Sequence, residues 1–201
     1  MKVQKLINVY YFNELTEEIQ NKVHEENRYF LTENYSYNFD EIVDEFKNFV
    51  ESIGGAFIDD FVGYDTDGYR VITKWKGDFI EFLSKIGNSK NYLGNEKLPK
   101  LKIRKNFLDI MQSDSEYSEY EVVGGAVTFS GWYRDKNIKL RVLKEDRDKL
   151  YNWMYEVLNI INNCFLNKIR AEQDYLETKE AFAEYCELNE VLFTKNGIRV
   201  N

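Results

Sequence analysis

The chain has 201 residues, 27 Lys plus Arg against 35 Asp plus Glu, and a formal net charge of −8. With 43% hydrophobic residues and 16% aromatics it can bury a core, which excludes wholesale disorder. One His (His24) excludes a site built on two imidazoles, and two Cys (Cys164 and Cys186) exclude a multi-cysteine metal centre. No run approaches the ~18 apolar residues of a membrane span, so a cytoplasmic protein with reduced thiols is expected.

In chain order, Val3, Ile7, Val9 and Tyr11 predict a strand within 3–12. Thr16 then offers a helix cap, Glu17 and Glu18 suit the positive end of the helix dipole, and Ile19, Val23 and Phe30 continue a helix over about 16–30. A Tyr- and Asn-rich connector leads to a second helix, about 39–53. Its residues Phe39, Ile42, Val43, Phe46, Phe49, Val50 and Ile53 form the cleanest apolar stripe in the chain, and Gly54-Gly55 end it. The period then changes. Segments 56–62 and 69–75 read as strands around an Asp-Gly turn at 63–68. Asp78 caps a short helix to about Ile86, and 87–99 is a polar connector. Two more strands are expected near 100–112 and 120–134, and Ile138, Leu140 and Val142 suggest a last one. Gly124-Gly125 read as a bulge or a close approach within the sheet.

From Lys144 the pattern is helical, with Leu150, Trp153, Met154, Val157, Leu158, Ile161, Cys164 and Phe165 on one wide face. A break near 175–178 separates a second helix, 178–190, and Leu192-Phe193-Thr194 extend toward a Lys195-Asn196-Gly197 turn. This order predicts an α+β fold, an antiparallel sheet of about four to six strands with N-terminal and C-terminal helices mainly on one face. One domain is expected over 1–201, with a helical pair at about 16–53, strands at about 56–142 and helices at about 144–190.

Charge is uneven. Residues 13–51 carry 11 acidic and 3 basic side chains, whereas 52–112 carry 8 and 10. Glu14, Glu17, Glu18, Glu25, Glu26, Glu33, Asp40, Glu41, Asp44 and Glu45 could imitate the phosphates of a nucleic acid and enter a basic groove on another protein. The bland alternative is the solvated outer side of two amphipathic helices. Lys97, Lys100, Lys102, Arg104 and Lys105 form a short basic strip, with Tyr92 and Phe107 nearby. The overall negative charge and the lack of a phosphate-binding loop argue against direct nucleic-acid binding, and a Lys-protected strand edge explains the strip.

Enzymatic chemistry finds little footing. Asp65-Thr66-Asp67-Gly68 starts like a calcium loop, but Trp75 and Lys76 stand about where the distant Glu should be. Asp59 and Asp60, adjacent in an expected strand, would point to opposite faces. A metal-dependent enzyme using Asp59, Asp65 and Asp67 is thus an alternative and not the favoured reading. His24 beside Val23 reads as a partly exposed helix residue.

The opening stretch from Val9 to Glu18 and the closing stretch from Asn189 to Gly197 together resemble a family of small acidic phage and prophage proteins. Val9-Tyr10-Tyr11-Phe12-Asn13-Glu14-Leu15-Thr16-Glu17-Glu18 is similar to the family's Y-x-F-x-E-L-S/T-x-E opening. Asn189-Glu190-Val191-Leu192-Phe193-Thr194-Lys195-Asn196-Gly197 is similar to its N-E-x-x-F-T-x-D/N-G ending, and Gly63 to Gly77 sits where the family has a strand-turn-strand. The first helix departs from the family's Ala and Lys, with Ile19, Gln20, Asn21 and Val23. The resemblance implies a mobile-element protein, sometimes labelled an antitoxin of a toxin–antitoxin stability system, with no catalytic residues to carry over. Together with the acidic stretch, it leads to the expectation of a non-enzymatic accessory protein of the host cytosol. Such a protein would need no cofactor or metal. It would bind and inhibit a host nucleic-acid-handling or defence protein, a CRISPR effector among them, through Glu14, Glu17, Glu18, Glu25, Glu26, Asp40, Glu41, Asp44 and Glu45. Neutralising a co-encoded toxin is the alternative. The sequence leaves the oligomeric state open.

Overall fold

Residues 8–34, 37–65, 70–113, 118–129 and 144–200 are described by the computed structural model. The expected strand positions 3–7, 130–134 and 138–142, and Asp67, lie outside them. The chain divides into two compact units, Met1–Phe39 with Arg170–Asn201, and Asp40–Ile169. Both divisions fall inside helices, α3 (Tyr37–Ser52) and α7 (Lys144–Leu176).

In the first unit, β1 (Tyr10–Tyr11) pairs antiparallel with β8 (Leu192–Phe193), and β8 with β9 (Arg199–Val200). Gly197, at φ 82°, turns the second pair, and a Cβ there would lie 2.5 Å from Val23 Cγ2. Only glycine lets this hairpin close against α1 (Glu17–Glu26). The helix expected over 16–30 is two. Asn27 donates its side-chain amide to the Val23 carbonyl at 2.7 Å where α1 ends, and α2 (Phe30–Asn34) follows. α8 (Lys179–Leu188) starts at Thr178, whose hydroxyl accepts the Ala181 amide at 3.1 Å. Phe12, Leu15, Val23, Phe182, Cys186, Val191 and Phe193 form the unit's core, with the Phe12 and Phe182 rings edge to face at 5.3 Å. His24 donates from Nε2 to the Glu177 carbonyl at 2.9 Å, which ties α1 to the chain just after α7 within this unit.

The second unit is built on a four-stranded antiparallel sheet of β2 (Gly55–Phe57), β5 (Lys74–Asp78), β6 (Glu119–Val123) and β7 (Ala126–Phe129), in the order β2-β5-β6-β7. A separate ladder joins β3 (Gly63–Asp65) to β4 (Arg70–Ile72). Alternation is strict. Trp75 opposes Val122, and Tyr120 opposes Gly77 and Phe129, all toward the core, while Lys74, Lys76, Glu121 and Thr128 face outward. α4 (Phe79–Ile86) opens on Asp78, which accepts the Glu81 amide at 2.9 Å and the Ser118 hydroxyl. The core is aromatic and packs edge to face. Trp75 meets Tyr120 at 5.6 Å, Tyr120 meets Phe82 at 5.8 Å, and Phe79 meets Trp153 at 6.1 Å. Phe46 of α3 packs on Phe165 of α7 at 4.7 Å.

The fold is α+β, with eight α-helices and three antiparallel sheets among the described residues. Several sequence expectations are corrected. The strand near 100–112 is irregular chain followed by α6 (Lys105–Ser113), because Phe107 and Met111, four residues apart, are both buried. The 56–62 strand stops at Phe57, so Asp59 and Asp60 stand in a bend and the opposite-face argument does not apply to them. The 63–68 turn begins as strand, since Asp65 pairs with Arg70. The connector 87–99 contains α5 (Lys90–Leu93). Gly124 and Gly125, at φ 56° and 84°, form the two-residue turn of the β6–β7 hairpin and not a bulge.

Candidate functional site

All nine carboxylates expected to bind a partner are exposed, but they form two groups. Glu14, Glu17, Glu18, Glu25 and Glu26 belong to the first unit and Asp40, Glu41, Asp44 and Glu45 to the second. Within the first unit the acids are diluted. Glu14 accepts the Tyr11 amide at 2.8 Å and so acts in local structure. Lys22 lies 3.9 Å from Glu26 on the exposed side of α1, Lys179 donates to the Asn21 side chain at 2.9 Å, and Arg28 pairs with Glu177 at 3.3 Å.

α3 is different. At about 100° per residue, Asp40, Glu41, Asp44, Glu45, Asn48, Glu51 and Ser52 fall within an arc of about 140°, and every one is exposed. The opposite side is buried through Phe46, Phe49, Val50 and Ile53. Burial therefore fixes the helix's rotation and turns its acids outward. Glu51, absent from the sequence-based set, joins the stripe, and its offset of seven residues from Asp44 could have identified it. Five carboxylates along about 16 Å of helix amount to roughly one per 3–4 Å, close to the ~3.4 Å phosphate spacing per strand of duplex DNA. Among the described residues, Glu45 alone of these five has an ion pair, with Lys168. Lys47, at the edge of the stripe, is engaged by Asp60 at 2.6 Å.

The basic strip does not form a strand edge. Lys97, Lys100, Lys102, Arg104 and Lys105 are exposed on irregular chain and the start of α6. Arg104 pairs with Asp146, whose side chain is 2% exposed, so this member of the strip anchors α7. For the metal reading, Asp59 and Asp65 are exposed, and no three His, Cys, Asp or Glu side chains converge as a ligand set among the described residues. Cys164 is half-buried, Cys186 is buried, and both thiols are free. Burial raises the pKa of Cys186 to about 12 against a smaller lowering by Arg199. Among the described residues no helix is long and apolar enough to cross a membrane. No known protein family, curated protein or solved structure matches the chain.

Proposed function

We propose that this chain is a non-enzymatic, protein-binding accessory protein of a mobile element. It docks the outer stripe of α3 into a basic groove on a host nucleic-acid-handling or defence protein and thereby competes with nucleic acid for that groove. The observation that supports this reading is the stripe itself, with Asp40, Glu41, Asp44, Glu45 and Glu51 on one exposed arc at a linear density close to that of a phosphate strand. A rigid helix anchored by buried aromatics holds such a field in a fixed pattern, which favours fast, steered association and selects against acidic partners. The phage-like opening and ending supply the mobile-element context.

The test is retention of host proteins on the immobilised chain. Nucleic-acid-binding proteins should be retained at low salt and released by added duplex DNA or by salt. Combined Asp40→Lys, Glu41→Lys, Asp44→Lys and Glu45→Lys should abolish the retention. Retention indifferent to DNA, to salt and to the four reversals overturns the reading.

A further inference from the structure

Within the first unit, α1, α8 and the β8–β9 hairpin surround a cleft of about 270 Å³. Aromatic side chains wall it. Phe30 and Tyr185 lie 5.2 Å apart at a tilt of 53°, and Phe193 continues the wall inward. The floor reaches Cys186, which is 1% exposed and belongs to the unit's core. At the mouth, Ile198 is 67% exposed, an apolar side chain held open to solvent.

The charges on the lining do not cancel. Lys22 and Arg199 contribute two cations and Glu26 one carboxylate. Lys22 and Glu26 are within 3.9 Å of each other. Arg199 has no carboxylate at ion-pair distance among the described residues, yet its charge is felt at the floor, where it lowers the Cys186 pKa against the upward push of burial. A guanidinium held beside an aromatic-walled cleft presents a planar donor fork that matches a carboxylate and an apolar body that matches a ring. The cleft lies just below the ~300 Å³ at which drug-sized pockets begin, so it suits a one-ring molecule.

We propose that this cleft binds a small aromatic carboxylate, the ring against Phe30, Tyr185 and Phe193 and the carboxylate on Arg199. The site is independent of the α3 stripe, and neither depends on the other.

The experiment is two-dimensional NMR of the full chain titrated separately with phenylacetate, its neutral isostere 2-phenylethanol and the cation phenethylamine. Phenylacetate should give saturable shifts at the Asn27, Ile198 and Arg199 amides, with the neutral probe weaker and the cation silent. Arg199→Gln should weaken phenylacetate about ten-fold, the scale of one charge-assisted hydrogen bond. It should leave the neutral probe unchanged. Lys22→Gln should have the smaller effect, because Lys22 already faces Glu26. Both substitutions are at exposed positions, so the fold tolerates them. No saturable shift up to roughly 20 mM phenylacetate, a range that covers fragment-strength binding, overturns the proposal. So do equal responses to the three probes, or an Arg199→Gln chain that binds phenylacetate like the parent.

Discussion

In the first unit, Lys22 interrupts the exposed carboxylates of α1, Lys179 of α8 donates to Asn21 on the same helix, and Arg28, just past its end, pairs with Glu177. On α3 of the second unit, the exposed arc carries Asp40, Glu41, Asp44, Glu45 and Glu51, and the lysines at its borders are each drawn to a single acid, Lys47 to Asp60 and Lys168 to Glu45. Both helices come from the most acidic stretch of the chain. The contrast teaches that a local count of charges measures supply, while the field at the surface depends on which side burial selects and on which cations other elements bring near. The first unit adds a second difference, since its cleft has an excess of cationic lining in an acidic protein.

The largest test of the contrast asks whether the two units are energetically separate. Phe46 is 0% exposed in the second unit and Phe182 is 5% exposed in the first. Truncating either to Ala should cost about 3–5 kcal/mol by lost burial and cavity formation. Hydrogen exchange should show Phe46→Ala lowering protection mainly within 40–169 and Phe182→Ala mainly within 8–34 and 170–200. Loss of protection throughout the chain from either change would merge the two units into one cooperative body.

Next in size is the partner affinity. Reversing the four acids of α3 to Lys should weaken binding by about a hundred-fold or more, whereas reversing Glu17, Glu18, Glu25 and Glu26 should change it by about ten-fold or less. Equal losses would remove the distinction between the helices and make net charge the determinant. A smaller effect is expected in the second unit's core. The Tyr120 hydroxyl is buried without a hydrogen-bond partner among the described residues, and burial with Asp78 and Glu81 nearby raises its pKa. Tyr120→Phe should stabilise the chain by about 1 kcal/mol in thermal or denaturant unfolding, since it removes a desolvated polar group.

The smallest effect concerns Cys186. Its pKa is raised from 9.0 to about 12, chiefly by burial. The folded thiol holds its proton through a range where the unfolded one has lost it, so its contribution to stability is intact below about pH 9 and is lost as the pH rises toward about 12. In a Cys164→Ser background, alkylation at pH 8 should be slow in the folded chain and should accelerate on unfolding. Fast alkylation of the folded chain would mean that the floor of the cleft is open.

Much of the architecture is legible in the residues. The stripe from Phe46 to Ile53 sets α3 and its outward acids, and Asp78 and Thr178 mark helix starts that the structure keeps. α6 was hidden because Leu101 and Ile103 alternate with Lys100, Lys102 and Arg104, a strand-like pattern that runs directly into the helical spacing of Phe107 and Met111. The assembly of the first unit was hidden for another reason. β1, β8 and β9 are two residues each, too short to carry a periodic signal, and the pairing of Tyr10 with Phe193 joins opposite ends of the chain. The cleft depends on that pairing, so Arg199 and Lys22 gave no local sign of belonging together. The acidic stripe, by contrast, lies on one helix and could be read from spacing alone.

The Gly124-Gly125 turn has an arithmetic consequence. Both residues adopt positive φ, and the loop holds two residues between paired Val123 and Ala126. The loop's length therefore doubles as a phase marker for β6 and β7. One more residue, with the two-residue turn kept and the extra residue taken into a strand, would shift that strand's alternation by half a period and offer solvent either Tyr120 and Val122 or Val127 and Phe129. That chain would differ from this one by a single amino acid, yet it would display on its surface the aromatic material around which the second unit condenses, and self-association through strand edges would be its natural fate.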